Sequence, residues 1–178
     1  MIILGIDPGY AIIGFGVIEH KNNKFTTLGF GAITTSANLP MDERLLIIYN
    51  EMQQIINKYH PSCISVEKLY FNSNHKTAID VAQARGVILL SGSQNQLPIF
   101  EYTPLQIKQS VVGYGRAVKS QVIAMTMSIL KLPFKPKLDD TADALAVAIC
   151  HAHSSASLLI WFYILQKIIT YIWRFYDI

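Results

Sequence analysis

The sequence predicts an α/β fold: a five-stranded mixed sheet, three antiparallel strands followed by two parallel ones, flanked by helices. Three observations carry that prediction. Residues 2–7, 14–19 and 25–34 read as strands joined by short turns containing Gly or Asn, the pattern of an antiparallel meander. Beyond them helical and strand-like segments alternate, and strands linked by helices run parallel through right-handed crossovers. The chain has 178 residues, 51% of them hydrophobic, which suits one domain with a sizeable core.

The first strand is an apolar run, Ile2-Ile3-Leu4-Gly5-Ile6, that stops at Asp7 before Pro8-Gly9. Proline pre-sets the first central position of a tight turn and glycine accepts positive φ at the second. A carboxylate at the end of a central strand is costly without compensation; a bound cation supplies it, and hydrogen bonds from the turn are the alternative. Leu45, Ile48, Tyr49, Met52, Ile55, Ile56 and Tyr59 then recur with helical spacing, ended by Pro61. Ile64-Ser65-Val66-Glu67 is a short strand that also ends on an acid, and Asn72-Ser73-Asn74 reads as a loop. Residues 75–95 form a long helix with apolar and small residues on more than one face, as expected of a helix covered by the core on one side and a partner subunit on the other. Pro98 to Tyr102 is another short strand, followed by helices at 104–112, 119–131 and 140–152. With strands 62–67 and 98–102 parallel to the first, Asp7 and Glu67 fall at the same edge of neighbouring strands.

A net charge of +3 and a pI near 8.8 permit an anionic partner without requiring one. Cys63 and Cys150 have neither metal-site spacing nor a disulfide framework and read as reduced core residues. The chain opens straight into a strand with no basic leader, so the expected compartment is the cytoplasm. Residues 1–153 read as the domain and 154–178 as an apolar tail. Leu158 to Leu165 is the most apolar run, too short for a span and interrupted by Gln166 and Lys167. Gln166, Thr170 and Arg174 fall four apart, a narrow polar stripe on a helix packed against the domain or dimer. A membrane-interface helix is the lesser reading.

A third acidic group is Asp139-Asp140-Thr141-Ala142-Asp143, leading a helix whose buried stripe is Ala142, Leu145, Ala146 and Ile149. Asp140 and Asp143 share a face near its first turn. Helix capping and the helix dipole account for Asp139 or Asp140, but poorly for Asp143, where a reciprocal capping box prefers Glu or Gln. Asp7, Glu67, Asp140 and Asp143 together form an all-oxygen set suited to Mg²⁺ or Mn²⁺. Two such ions about 4 Å apart activate a water and stabilise the leaving oxygen of a phosphodiester.

The motifs Gly5-Ile6-Asp7-Pro8-Gly9, Val66-Glu67, Gln83-Ala84-Arg85-Gly86, Val111-Val112-Gly113, Lys119-Ser120-Gln121-Val122 and Asp140-Thr141-Ala142-Asp143-Ala144-Leu145-Ala146 occur in that order. Across Ile2 to His153 the chain resembles the bacterial Holliday-junction resolvase family RuvC, of the ribonuclease H-like superfamily. The resemblance implies a ribonuclease H-like fold and a homodimer that cuts two strands of a four-way DNA junction symmetrically with divalent metal, alongside the RuvA–RuvB branch-migration complex in recombination and repair. It carries metal and catalytic roles onto Asp7, Glu67, Asp140 and Asp143. Asp139 is an extra acid beside the motif, and the spacing of three to Asp143 favours Asp140 over it.

Lys108, Arg116 and Lys119 lie just before or at the start of predicted helices, and Lys119-Ser120 can offer both charge and helix-start amides to a phosphate. Solvated lysines are the ordinary alternative; the resemblance singles out Lys108 and Lys119 as facing DNA. Tyr70 and Phe71 stand just past Glu67, placed either in the core or to stack on a base at the crossover; the resemblance selects Tyr70, three residues after the glutamate. His151 and His153 read as surface or helix-end residues. The competing functions are an actin-like or sugar-kinase ATP-binding domain, which needs a second domain with its own phosphate loop, and a catalytically silent junction-binding module.

Overall fold

Alternation along β1 (Ile2–Asp7) decides how the molecule is layered. Side chains two apart in a strand share a face, so Leu4 and Ile6 point to one side while Ile3, Gly5 and Asp7 point to the other. Leu4 and Ile6 join Ile13, Val17, Ile48, Met52, Ile64, Val66 and Ile88 in one buried cluster. Ile3 joins Ile18, Cys63, Ile107, Val122, Leu145 and Ile149 in a second. The central strand is therefore buried on both faces, which explains its unbroken apolar sequence.

The computed structural model describes residues 1–69, 75–134 and 136–155. Tyr70, Phe71, the loop at 72–74 and the apolar tail from 156 lie outside them. β2 (Ile12–Lys21) and β3 (Lys24–Thr34) complete the antiparallel meander; α1 (Met41–Tyr59), β4 (Cys63–Glu67), α2 (His75–Gln94), β5 (Ile99–Tyr102), α3 (Pro104–Val112) and α4 (Lys119–Leu130) follow. A fifth helix, α5, runs over 139–155, to the end of the described chain. The sheet order is β3-β2-β1-β4-β5, with β4 and β5 parallel to β1. This is the fold class that the sequence predicts, with β1 and α3 bounded as expected and the other boundaries moved by at most four residues. The first cluster lies under α1 and α2, the second under α3, α4 and α5.

α5 lies directly on the sheet because the strands beneath it carry glycines. A Cβ on Gly5 would meet the carbonyl oxygen of Ala144, and one on Gly14 the carbonyl oxygen of Asp140. The hydroxyl of Thr141 donates to the carbonyl of Gly31 at 3.2 Å, fixing the first turn of α5 over β3. The helix is buried more completely than its sequence stripe suggests: Ala144, Val147, Ala148, Cys150 and Ala152 are inside as well. Lying between the sheet on one side and α3 and α4 on the other, it has no wet face over that stretch.

His151 is accordingly not a surface residue. It is 2% exposed, its ring stacks on Phe100 at 4.2 Å, and its Nδ1 shares a 2.8 Å hydrogen bond with the Tyr102 hydroxyl. Burial lowers its pKa. The tyrosine satisfies the imidazole, so a polar residue that reads as peripheral is accommodated in the core. His153, two residues on, is exposed and hydrogen-bonds Ser110 at 3.1 Å. Cys63 and Cys150 are buried free thiols, as expected, and burial pushes both up to about 11.

Candidate active site

Ile6 of β1 pairs in register with Val66 of β4, so the next residues, Asp7 and Glu67, stand side by side at the ends of two parallel strands. Both belong to the face covered by α5. The acid-bearing first turn of α5 is brought over them by the close contacts at Gly5 and Gly14. The tight turn expected at Pro8-Gly9 is replaced by a bend at Tyr10 and Ala11, with no positive φ at Gly9, and that bend is held by Arg44, which is 6% exposed. Its Nε donates to Thr35 Oγ1 at 2.8 Å, its Nη2 to the Tyr10 carbonyl at 3.2 Å, and its guanidinium lies 4.4 Å over the Tyr10 ring. Sequence reasoning missed Arg44, because an arginine near a helix start carries no local sign of burial.

Asp7, Glu67 and Asp143 line one cleft of about 340 Å³ together with Lys108, Lys119, Pro104, Ile107 and Val122. α3 supplies Lys108 from a helix fixed by a capping box: Thr103 Oγ1 accepts from the Gln106 N–H at 3.1 Å, and Gln106 Oε1 accepts from the Thr103 N–H at 2.9 Å. α4 supplies Lys119 from its first residue, and Gln121 Oε1 accepts from the Val118 N–H at 3.0 Å to close that end. Asp140 does not line the cleft, but its charge is felt by Asp7. Arg116 and Ser120 are exposed near the start of α4, outside the lining. The apolar wall formed by Pro104, Ile107 and Val122 has no signature in the sequence beyond ordinary helix periodicity.

The electrostatics of the cleft are those of crowded carboxylates. Burial, then the charges of Glu67, Asp143 and Asp140, push the Asp7 carboxyl up to about 8. Burial, then Asp143, push Glu67 up to about 7. Lys119 Nζ lies 2.8 Å from Asp143 Oδ2 and 3.9 Å from Asp139 Oδ2, and the hydrogen bond to Asp143 raises the lysine pKa. Among the described residues, no three His, Cys, Asp or Glu side chains are already arranged as a closed metal-binding group. With Lys119 on Asp143, the carboxylates stand apart rather than converging. The donor set nevertheless fits a hard divalent cation: it is all oxygen, and once ionised its four carboxylates carry more negative charge than Lys108 and Lys119 neutralise.

The profile of the family described as Crossover junction endodeoxyribonuclease RuvC matches residues 3–151. The chain belongs to the RuvC family. A RuvC crossover junction endodeoxyribonuclease from Ruminiclostridium cellulolyticum is 57% identical over 154 residues, 86% of this chain and 93% of that protein. One from Clostridioides difficile is 56% identical over 155 residues, 87% and 92% of the two chains. The structure of Thermus thermophilus RuvC in complex with Holliday junction substrate is similar with a TM-score of 0.83 at 33% identity, covering 87% of this chain and 94% of that one. A yeast mitochondrial Holliday junction resolvase, at 12% identity and a TM-score of 0.69, shares the fold. RuvC membership displaces the ATP-binding alternative. It also implies dependence on divalent metal, which the carboxylates of the cleft fit.

Proposed function

We propose that this RuvC-family crossover junction endodeoxyribonuclease resolves four-way DNA junctions by paired, symmetric strand cleavage, with Asp7, Glu67, Asp140 and Asp143 as its catalytic carboxylates. The observation that supports this most directly is the single cleft that Asp7, Glu67 and Asp143 line together with Lys108 and Lys119. The ion class is Mg²⁺, with Mn²⁺ as a substitute, and two ions per site are the reading that best suits four acids. Bound there, the metal supplies charge that activates water and stabilises the departing oxygen of the phosphodiester.

The rest follows from the chain's own residues. Asp7 and Glu67, half-buried and crowded, gain from a cation that neutralises them, and a doubly charged ion is attracted more strongly than a singly charged one. Lys108 and Lys119 draw the phosphate backbone into the cleft, and Arg116 and Ser120 extend the anion-binding edge at the start of α4. Pro104, Ile107 and Val122 limit the water around the reacting phosphate. Tyr70, three residues after Glu67 in the sequence and followed by Phe71, is the residue proposed to stack on an unstacked base at the crossover.

Symmetric cleavage needs two sites, and the homodimer reading rests on α2. Its inward face carries Ala84, Ile88 and Ser91, all buried, whereas Ile79 is 70% and Leu90 59% exposed on the outward face. Ala82 and Gly86 lie on that same outward face, where small side chains let a second helix approach closely. Junction DNA, and the RuvA–RuvB complex that would deliver it, are the partners, and the cytoplasm is the compartment; among the described residues no helix is long and apolar enough to cross a membrane. The test is cleavage of a synthetic mobile four-way junction with Mg²⁺, beside linear duplex and RNA–DNA hybrid. Cleavage of the junction alone, at symmetric positions, is expected. Preference for the hybrid would indicate a ribonuclease H activity, and binding without cleavage a silent junction-binding module.

A further inference from the structure

Lys119 is the first residue of α4, and its ammonium lies between two acids on the first turns of α5. Asp139 and Asp143 are four residues apart, hence on one helix face. The nearer acid, Asp143, faces the cleft and is 23% exposed; Asp139 is 44% exposed and does not line the cleft. An ammonium at 2.8 Å from Asp143 occupies one of the oxygens that a cation would need. It also repels a divalent ion at close range. Lys119 and the cation therefore compete for Asp143, and the lysine must have somewhere to go.

We propose that Asp139 is a positioning residue that takes over the Lys119 ammonium when Asp143 turns toward a divalent cation, so that the cation meets less competition and the lysine stays beside the cleft. The inference rests on the metal-binding reading given above. It assigns a task to the one acid of the Asp139–Asp143 segment that the carboxylate set leaves over. At 3.9 Å from the ammonium, Asp139 is already within ion-pair range, and its exposure makes receiving a charge cheap. Exposed ion pairs are weak, so the effect is a tuning one, about two- to five-fold in cation affinity.

The competing explanation is that Asp139 acts only through its bare charge, by drawing cations toward the site or by favouring the start of α5. A double-mutant cycle separates the two. Binding of Mn²⁺ to the full chain, without DNA, is read from the loss of the free-ion electron paramagnetic resonance signal. Asp139→Asn is expected to weaken binding about two- to five-fold, and Asp139→Glu to restore it. In a Lys119→Met background, binding is expected to be tighter than in the parent chain and indifferent to Asp139→Asn. An equal loss in both backgrounds, or no loss in either, overturns the proposal. Asp143→Asn distinguishes the layers. If it abolishes Mn²⁺ binding while Asp139→Asn changes nothing, the metal reading stands and this proposal alone fails; if Asp143→Asn binds Mn²⁺ unchanged, both fail.

Discussion

Asp7 and Glu67 are neighbours across a parallel strand pair, and the charge of Glu67 is the largest influence on Asp7 after burial. The pair is adverse for the metal-free protein. Asp7 takes up or loses its proton near pH 8 when folded but near 3.8 in a free chain. Glu67 does so near 7 rather than 4.5. Between about pH 4 and pH 8 the folded protein thus holds protons that the unfolded chain has released, and stability falls as pH rises.

The first prediction follows from that sign. Without divalent ions, Tm should fall between pH 5 and pH 8 by roughly 5–15 °C, corresponding to a loss of about 2–4 kcal/mol. Mg²⁺ should restore much of it at pH 8 and little at pH 5, because the cation binds the ionised carboxylates. Asp7→Asn should raise Tm at pH 8 in the metal-free protein and flatten the profile. Thermal unfolding in a chelator across that range checks all three, and a flat profile for the parent chain would refute them.

The same substitution should abolish cleavage while leaving the fold and junction binding intact. If Asp7 is one of the carboxylates that hold the metal, as proposed, losing it weakens water activation and leaving-group stabilisation together, so a rate loss on the order of 10³-fold or more is expected. Binding should tighten slightly, since a negative charge near the phosphates is gone. Single-turnover cleavage and gel-shift titration on one junction measure the two separately. A rate close to that of the parent chain would remove Asp7 from the site.

The outward face of α2 gives a third test. Leu90→Glu places a charge at the C-terminal end of an exposed apolar stripe that does not support the monomer core. Sedimentation should show a shift from dimer to monomer with an unchanged Tm for the isolated subunit. Paired cleavage should be lost before nicking of single strands. A variant that remains dimeric and cuts both strands would mean that the subunits associate elsewhere.

The fourth prediction concerns the tail. Every proposed catalytic residue precedes Ser154, and no acid follows until Asp177. A chain ending at Ser155 should fold, dimerise and cleave junctions, with higher solubility because a large apolar segment is gone. An unfolded, monomeric or inactive product would show that the tail completes the core or the dimer.

The order of strands and helices was legible in the sequence because each element announces itself locally. Strand alternation, helical spacing and Pro61 as a stop all act within a few residues of the chain; the tight turn expected at Pro8-Gly9 did not form, since Gly9 lacks the positive φ it requires and the chain bends instead at Tyr10 and Ala11. The same local logic marked Asp7 and Glu67, as acids that end apolar strands, and Asp140 and Asp143, three apart on a helix. What the tertiary structure decided are relationships between elements distant in sequence. Gly5 and Gly14 matter because another helix's backbone rests on them. His151 is buried because Phe100 and Tyr102 come from a strand about fifty residues earlier. Lys108 and Lys119 face the acids while Arg116 and Ser120 stay outside, a distinction that depends on where α3 and α4 pack. The grip of Lys119 on Asp143 has no trace in sequence spacing, because charge acts through space and is set by distance after the chain has folded.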